Sequence, residues 1–391
     1  MAKWLQARGH KVTVLTGFPN YPIGRIYPGY RLSFRQWDEV EGVNVLRVPL
    51  YSNHDRSAFR RTLNYMSFAA SASLIGLPSV GKVDVIYGMS TPPTVGLPPL
   101  LDHVFNGVPY VFNVADIWPD AVRDSGMIGN RYIYRVAEAF LKWLCATVYA
   151  HAAYVTTITE GYKKILVERG VPEQKVHAIY NWIDESLLAP QPRDSALARD
   201  LEFEGKFTFL YAGNLGALQG LDTIIRAAAL LQHVHDIQVM FMGSGALEGE
   251  LRRLAADLNL SNVRFAGTFD QRKMQFIYPL AEVLLIHLND APYLRATVPG
   301  KTQASLAVAR PVLMAARGES AEMIRKAGAG MTCAPSRPEE LAATMLEMYH
   351  LAVQQREAMG SRGREYYLKN MSLEVGAGRI EQLLQWAAAS A

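Results

Sequence analysis

The sequence predicts an α/β fold in which two Rossmann-like domains each contain a parallel sheet covered by helices. Short apolar runs alternate with helical periodicity along nearly the whole chain, which is the pattern of βαβ units. The chain has 391 residues, more than one ordinary core holds, and this length suits two α/β domains. A polar stretch with two prolines, 190–205, interrupts the alternation and is typical of a linker.

Composition excludes several classes of protein. Half of the residues are hydrophobic and the formal charge is +4, so a folded globular protein is expected. The charge is mild and the sequence contains no nucleic-acid-binding motif, so a nucleic-acid-binding protein is not indicated. The two cysteines, Cys145 and Cys333, lie far apart without metal-ligand spacing, which fits a reducing cytosol. The longest apolar stretch, 67–77, is shorter than the roughly 20 residues that cross a bilayer.

In the first half, polar loops follow the expected strands. The loop 18–31 carries three prolines and two glycines at a strand end, where ligands of α/β proteins gather. Asp116 and Asp120 follow another strand, together with Arg123 and Asp124. The expected strands are 11–16, 43–48, 83–87, 109–113, 154–159 and a short one ending at Ile179.

The second half contains the clearest motif, 207–231, which is predicted to form a strand, a glycine loop and a helix. Such a loop lets backbone amides approach a ligand, and the helix that follows offers N–H groups to an anion such as phosphate. The same pattern is also typical of a tightly packed βα turn without a ligand. Further strands are expected at 237–242, 263–265, 283–286 and 312–314.

The start of the chain departs from the usual order of a doubly wound domain. A helix at 1–8 and then the strand 11–16 predict that a first strand and its glycine turn belong upstream, in roughly 20 residues. Without that strand we expect a gap between the strands 11–16 and 83–87, and poor solubility and no activity for the 391-residue chain. The alternative is a fold that begins with a helix.

Four segments in a fixed order resemble the retaining, nucleotide-sugar-dependent glycosyltransferases of family GT4, which have the GT-B fold. They are NWID (181–184), AGNLGALQG (212–220), MGSG with VRFAG (242–245 and 263–267) and VPGKTQASLAVARPVL (298–313). In the first half, FPNYPIGRIYPGY, STPP and DIWPD resemble the branch that builds bacterial surface polysaccharides, which includes colanic-acid and O-antigen transferases. The resemblance covers nearly the whole chain.

The resemblance implies a domain organisation and a substrate site. An acceptor-binding domain is expected at 1–188, a nucleotide-sugar-binding domain at 206–365, and a C-terminal helix at 366–391 that returns to the first domain, with the substrates in the cleft between the domains. No metal or other cofactor is implied, because positive charge and helix N-termini stabilise the leaving diphosphate. The implied substrate-binding residues are Asn181, Gly213, Asn214, Gly216, Gln219, Gly243, Gly245, Phe265, Gly267, Arg295, Thr302 and Gln303.

The sequence departs from the family pattern at its charged positions. Asn214 and Gln219 stand where the family has an arginine and a lysine, and the paired glutamates expected near 296–297 and at 304 are absent. Lys301 is then the best remaining cation, with Arg295 as a second candidate. Asp116 is expected as the carboxylate nearest the reacting sugar. The alternatives are a solvated lysine at a helix start and an aspartate that caps a helix or bonds a loop.

A helix near the middle of the first half combines basic and apolar side chains. Such a helix is typical of contact with an anionic membrane, and equally of a solvated arginine face over a core stripe. With the first interpretation, the protein is expected in the cytoplasm, peripheral on the inner face of the cytoplasmic membrane. The residues are Arg56, Arg60 and Arg61 with Phe59, Leu63, Met66 and Phe68.

The expected reaction is transfer of a sugar, with retention, from a nucleotide diphosphate, expected to be UDP, to a lipid-linked saccharide during synthesis of O-antigen, lipopolysaccharide or exopolysaccharide. Two alternatives remain open. A nucleotide-sugar 2-epimerase shares the architecture but needs acid–base carboxylates and histidines. A non-catalytic binding homologue would account for the lost glutamates.

Overall fold

The computed structural model describes residues 1–21, 23–53, 57–120 and 131–390, without the side chains of 58 and 131–134. Arg56, Arg123 and Asp124 therefore lie outside the described residues. The chain forms two compact units. The first comprises Met1–Ile158, Tyr162–Ile179 and Ala377–Ala391, and the second comprises Thr159–Gly161 and Tyr180–Gly376. The division thus falls at 179 and 376, whereas the sequence placed it at 188 and 365.

The first unit contains two separate sheets. The smaller has the order β1-β3-β2, with β1 parallel and β2 antiparallel to β3. The larger has four parallel strands in the order β4-β5-β6-β7. The expected gap between the strands now labelled β1 and β4 is present, since these two strands belong to different sheets. The strands are β1 (Thr13–Gly17), β2 (Gln36–Val40), β3 (Val43–Val48), β4 (Ile86–Ser90), β5 (Tyr110–Val114), β6 (Tyr154–Thr157) and β7 (Val176–Ala178).

The helices of this half begin and end where local sequence signals predict. The Ser57 side chain accepts a hydrogen bond from the N–H of Arg60 and so caps helix α2. Helix α4 ends at Gly107, which takes the left-handed conformation. The helices are α1 (Ala2–Ala7), α2 (Ala58–Ser71), which continues through a π-helical turn (Ala72–Gly76) into α3 (Leu77–Val80), α4 (Leu97–Asn106), α5 (Arg131–His151) and α6 (Glu160–Glu168).

The second unit is built on one six-stranded parallel sheet with the order β10-β9-β8-β11-β12-β13. Strands β8 and β9 are almost wholly buried because helices cover both faces, which explains their continuous apolar sequences. The strand order reverses between β8 and β11, so the topological switch point lies there. The strands are β8 (Phe207–Ala212), β9 (Ile237–Met242), β10 (Val263–Gly267), β11 (Val283–His287), β12 (Val312–Ala315) and β13 (Gly330–Cys333).

The stretch expected as a linker, 190–205, is instead part of the second unit, and this expectation was wrong. It contains a helix, α7, whose first amides at Ala196 and Leu197 donate to the Asp194 side chain at 2.9 and 3.1 Å. Phe203 after it is fully buried. A helix of six residues is too short to show a period in the sequence.

The remaining helices surround the second sheet, except that the last one runs from the second unit into the first. Within the first unit, Glu381 of this last helix accepts hydrogen bonds from Arg8 and His10 at 2.9 and 2.8 Å. No helix in the described ranges is both long and apolar enough to cross a membrane. These helices are α7 (Ser195–Asp200), α8 (Asp222–Leu230), α9 (Glu248–Asp257), α10 (Met274–Ile277), α11 (Gly300–Ala307), α12 (Glu319–Ala327), α13 (Pro338–His350), α14 (Val353–Asn370) and α15 (Leu373–Ala389).

Candidate active site

Three glycine-containing turns lie at the carboxyl ends of β8, β9 and β10, and backbone hydrogen bonds join them. The N–H of Gly213 donates to Met242 at 2.8 Å, and the N–H of Gly243 donates to Gly267 at 2.8 Å. The N–H of Leu215 donates to Ser244 at 2.9 Å. The turns therefore form one continuous backbone surface beside the switch point, where α/β proteins bind ligands.

Two of these glycines are required by the packing of the turns. Gly243 has φ +136°, and a Cβ placed there would overlap the carbonyl oxygen of Gly213. A Cβ at Gly245 would overlap the carbonyl of Leu215. Both positions need glycine because the backbones of neighbouring turns approach each other closely there, and this holds whether or not a ligand is bound.

The turn at Gly216 is less constrained than its neighbours. A Cβ at Gly216 would meet the amide nitrogen of Asn214 at 2.6 Å and the side-chain oxygen of Gln219 at 3.0 Å, and both are ends of flexible side chains. Asn214 is exposed, and the Gln219 side-chain oxygen is buried without a hydrogen-bond partner among the described residues. Asn214 and Gln219, which replace the family's cations, thus lie together at the turn.

The glycine loop is held by two residues that the sequence did not single out: His287, the last residue of β11, and Asn289, two residues beyond it. The Asn289 side chain donates to the carbonyl of Ala217 at 2.6 Å, and its N–H donates to Leu218 at 2.9 Å. His287 Nδ1 bonds the carbonyl of Gln219 at 2.7 Å. Since the C=O and N–H of a trans peptide point in opposite directions, holding these carbonyls directs the amides that follow away from β11.

His287 acts here as a neutral donor. The side chain is fully buried, and this burial lowers its pKa to about 4. Neutral imidazole has one N–H, which Nδ1 donates to Gln219, while Nε2 accepts the N–H of Ser336 at 3.4 Å. A histidine and an asparagine that end an otherwise apolar strand, as in VLLIHLN, are the sequence signal that could have identified this support.

Lys301 lies beside the same turn. Its ammonium donates to the hydroxyl of Tyr211 at 2.6 Å and lies 4.0 Å from the centre of that ring. The Tyr211 hydroxyl in turn donates to the carbonyl of Asn214 at 2.8 Å, and the ammonium lies 3.1 Å from the position of a Cβ on Gly213. Within the described part of the chain no carboxylate pairs with this lysine, and burial lowers its pKa to about 7.

Thr302 and Gln303, expected to bind substrate, have buried side chains, so a contact with substrate would have to use the backbone of the helix start. Thr302 is 0% exposed and Gln303 is 2% exposed, so neither side chain has surface for a ligand. The Gln303 amide reaches back to the carbonyls of Pro299 and Gly300, at 2.7 and 3.2 Å. It therefore stabilises the turn that positions Lys301.

Arg295 is an ion-paired residue, unlike Lys301. It bonds Asp290 at 2.8 Å, and Asp290 also pairs with Arg317 at 3.2 Å. These arginines line a polar cavity of about 540 Å³ together with Arg325 and Glu340. The group is half-exposed and carries a net positive charge.

The other sequence-predicted residues occupy distinct places in the second unit. The ring of Phe265 stacks on Phe241 at 5.0 Å, and the Arg252 guanidinium lies 4.7 Å from its centre. The ring is therefore partly buried against these two neighbours, and the backbone at Phe265–Gly267 stays the expected ligand contact. Asn181 is exposed and precedes Trp182, whose ring packs on Gly376.

Asp116 belongs to the first unit. It follows β5, and Thr91 after β4 donates to its carboxylate at 3.5 Å. Burial raises the pKa of Asp116. The STPP and DIWPD segments thus meet at the carboxyl ends of adjacent strands. Among the residues with described positions, no cluster of three or more histidine, cysteine or acidic side chains could hold a metal ion.

Comparison with known protein families identifies the class of protein to which this fold and these turns belong. The first part of the chain, 1–182, matches the family described as Glycosyl transferase 4-like domain, and 192–366 matches Glycosyl transferases group 1. The chain therefore belongs to the GT4 group of glycosyltransferases and has the GT-B fold, with two Rossmann-like units. The replaced cations and glutamates do not alter this assignment.

Curated relatives are identical to this chain at about a quarter of the aligned positions. The chain is 27% identical to the probable glycosyltransferase WbjE of Pseudomonas aeruginosa, in a match that covers 73% of this chain and 71% of WbjE. It is 28% identical to the putative colanic acid biosynthesis glycosyl transferase WcaI of Escherichia coli K12, over 68% of this chain and 65% of WcaI. The match thus spans about two thirds of each relative.

Solved structures share the fold at lower identity. Sucrose-phosphate synthase of Thermosynechococcus elongatus superposes with a TM-score of 0.71 at 16% identity, over 100% of this chain and 92% of that one. HepE of Anabaena in complex with UDP and glucose gives 0.68 at 15% identity, over 96% and 99%.

Proposed function

We propose that the protein transfers a sugar, with retention, from a UDP-linked donor to a lipid-linked saccharide in the synthesis of a bacterial surface polysaccharide. The observation that carries the proposal is Lys301, an ammonium with a lowered pKa and no paired carboxylate among the described residues, next to the glycine turn at the switch point. A diphosphate is the ligand that such a group and such a turn favour together.

The donor half of the site acts by positioning and electrostatics. The backbone of the Gly213–Gly220 loop, supported by Asn289 and His287, approaches the diphosphate, and Lys301 meets its developing charge. Because the ammonium is desolvated, its interaction with a phosphate is stronger than in water and requires little reorganisation when the bond to the sugar breaks. No metal is needed for this role.

The acceptor half is proposed to lie on the first unit. Asp116 is half-buried at the ends of β4 and β5, where a carboxylate with a raised pKa can accept a hydrogen bond or a proton from an acceptor hydroxyl. The relative WcaI, whose name refers to colanic acid biosynthesis, supports a saccharide acceptor. Structures of HepE with UDP and with UDP-glucose support a UDP-linked donor.

A lipid-linked acceptor brings the first unit to a membrane, and an exposed apolar surface there supports this. Helices α2, α4 and α5 pack side by side, and each exposes apolar side chains. Phe59, Leu74 and Phe105 are 77%, 78% and 78% exposed. We call this surface the apolar ridge, formed by Phe59, Leu63, Leu74, Val104, Phe105, Phe140 and Trp143. An apolar ridge with the exposed Arg60 next to Phe59 suits an anionic bilayer on the cytoplasmic side, whereas Arg61 is partly buried and bonds the hydroxyl of Tyr65.

The donor and acceptor parts are tested in sequence. Nucleotide sugars are first screened for thermal stabilisation, which at a hundred times the dissociation constant is worth about 2.7 kcal/mol. The selected donor is then incubated with and without lipid-linked saccharides. Sugar transfer that requires the acceptor is expected. Donor turnover without acceptor would indicate an epimerase, and binding without turnover would indicate a non-catalytic homologue.

The membrane part is tested with vesicles that contain anionic lipid. The variant Phe59→Ser with Leu63→Ser and Phe105→Ser is expected to lose most vesicle binding, because burial of each large apolar side chain is worth about 1.5–3 kcal/mol. Phe276→Ser, which removes an exposed aromatic residue from the second unit, is the matched control. Equal binding by both variants would exclude the ridge as the contact surface.

A further inference from the structure

The polar cavity lined by arginines in the second unit has no role in the donor site described so far. Its volume is about 540 Å³, which is within the range of sites for small molecules. The side chains of Arg295, Arg317 and Arg325 line it, and Glu340 is the acidic residue of its wall. We call this space the arginine cavity.

The arginine cavity lies at the same edge of the sheet as the glycine turns. Arg317 lies two residues beyond the end of β12, and Cys333 is the last residue of β13. Strands β8, β11, β12 and β13 are adjacent and parallel, so their carboxyl ends lie side by side. At about 4.8 Å between neighbouring strands, the end of β12 lies roughly 10 Å from the end of β8, where the glycine loop begins.

One acidic residue connects two of these arginines to the support of the glycine loop. Asp290 follows Asn289, whose side chain holds the loop at the carbonyl of Ala217. One oxygen of Asp290 accepts a hydrogen bond from Nε of Arg295 at 2.9 Å, and its other oxygen lies 3.2 Å from Nε of Arg317. The carboxylate therefore holds together two guanidinium groups that would otherwise repel each other, next to the segment that supports the loop.

The arginines keep donors that Asp290 does not use. A guanidinium has five N–H donors, and the bonds to Asp290 use only some of those on Arg295 and Arg317. The side chains of these two arginines are 53% and 55% exposed, so a ligand can reach them. Arg325 donates to the hydroxyl of Thr332 at 3.0 Å and forms no ion pair with any residue in the described ranges.

The arginine cavity has a net positive charge. Three arginines stand against two carboxylates, those of Asp290 and Glu340, which leaves one positive charge. The Glu340 carboxylate also accepts the N–H of Ala334 at 3.3 Å. Burial raises the pKa of the Cys333 thiol to about 11, so this lining group adds no negative charge. A carboxylate is the planar anion that forked guanidinium donors match.

The order of groups in a nucleotide sugar relates this cavity to the proposed donor. The diphosphate lies between the nucleoside and the sugar, and the proposed diphosphate site at Gly213 and Lys301 follows β8. On one side of β8 are the turns after β9 and β10, and on the other are β11 and β12 with the arginine cavity. A neutral base and ribose suit the backbone groups of the turns better than three arginines. The sugar is therefore expected to extend toward β12.

We infer that the sugar of the donor is acidic, a hexuronate whose carboxylate is bound by Arg295 and Arg317. This inference rests on the proposed function, because it names the sugar of the same donor. One departure from the family pattern agrees with it. Ala296 and Thr297 stand where one of the paired glutamates is expected, and a glutamate directly after Arg295 would repel a carboxylate on the sugar.

The test measures binding by calorimetric titration in the absence of acceptor. The ligands are UDP, the neutral donors UDP-glucose and UDP-galactose, and their 6-carboxylates, UDP-glucuronate and UDP-galacturonate. At least one acid is expected to bind about tenfold or more tightly than the hexose of the same stereochemistry, because its carboxylate gains charge-assisted hydrogen bonds. This preference should fall as the salt concentration rises, since the arginines are half-exposed.

Three variants locate the carboxylate. Arg317→Gln should abolish the preference for the acid, while its affinity for UDP, which also reports correct folding, stays within about twofold of the parent. Arg317→Lys should keep part of the preference, because it retains the charge without the forked geometry. Arg199→Gln, which removes an exposed and ion-paired arginine from α7, is the matched control and should keep the whole preference.

The outcomes separate this inference from the proposed function. Failure of the parent to bind UDP would refute the donor site and this inference with it. Binding of UDP without a preference for either acid would overturn the acidic sugar alone. An equal loss of UDP and of the acid in Arg317→Gln would assign the arginines to the diphosphate instead. Inorganic phosphate that binds together with UDP-glucose, and does not bind to Arg317→Gln, would overturn the inference in favour of a separate anion site.

Discussion

Replacing Lys301 by methionine is expected to weaken donor binding without lowering the free energy of unfolding. A hydrogen bond from a charged donor is worth about 1.5–3 kcal/mol, so the dissociation constant of the nucleotide sugar is expected to rise roughly 10- to 150-fold. The stability of the folded state is not expected to fall. The pKa of Lys301 falls from 10.5 to about 7 in the folded protein, so the unfolded state holds the proton more tightly and the buried ammonium disfavours the fold. We expect Lys301→Met to be at least as stable as the parent at pH 7.

The same lowered pKa predicts how donor binding depends on pH. Below about pH 7 the lysine is protonated before the donor binds, and affinity is highest. Above that pH the donor must bind together with a proton, because the diphosphate raises the pKa of the ammonium again. The dissociation constant should then rise about tenfold per pH unit until the pKa of the complex is reached.

Calorimetric titration of the nucleotide sugar between pH 6 and 9, in buffers of different ionisation enthalpy, measures both the affinity and the proton uptake. Lys301→Met should show a flat profile without uptake. Lys326→Met, which removes an exposed lysine in the last turn of α12, is the matched control and should retain the parent profile. A pH-independent affinity in the parent, or the same slope in Lys301→Met, would refute the assignment of the phosphate-binding cation.

Three further variants test the remaining parts of the site. Asn289→Ala should weaken donor binding several-fold in calorimetry, because it removes a support of the glycine loop worth about 1 kcal/mol, and unchanged affinity would exclude that support. Gly243→Ala should lower the urea midpoint of unfolding far more than Gly216→Ala, since only the first places a Cβ against the backbone of the neighbouring turn. Asp116→Asn should reduce the rate of transfer to the acceptor while donor affinity, measured separately, stays at the parent value. Loss of donor affinity would contradict the placement of Asp116 on the acceptor side.

The sequence predicted strands best where burial is complete. Strands β8 and β9 lie within covered parallel sheet, so their apolar runs are unambiguous. Strand β2 was missed because its sequence, QWDEV, is polar and its residues remain at least partly exposed in an antiparallel pair. Strand β13 was missed because GMTC is short and lies at the edge of its sheet. Tertiary pairing, not local preference, forms both strands.

Only part of the candidate site could be proposed from the sequence, because sequence patterns are local whereas burial and long-range contacts are not. The glycines and Lys301 could be found because their spacing in sequence matches a pattern. Burial could not be found in this way: Thr302 and Gln303 look like polar helix-start residues, yet α11 is surrounded by the core. His287 and Asn289 act on a loop about 70 residues away, so no local pattern relates them to it.

The departures from the family pattern and the burial of Lys301 have a common physical consequence for the proposed donor site. Asn214 and Gln219 remove two positive charges from the glycine turn, which in water would weaken attraction to a diphosphate substantially. Coulomb energy, however, varies inversely with the effective dielectric constant, so one desolvated ammonium can attract a phosphate as strongly as several solvated cations. Lys301, held over the Tyr211 ring without a competing carboxylate among the described residues, is such a group. Its desolvation makes the folded protein less stable in the absence of donor, and we expect a bound diphosphate to reverse that effect.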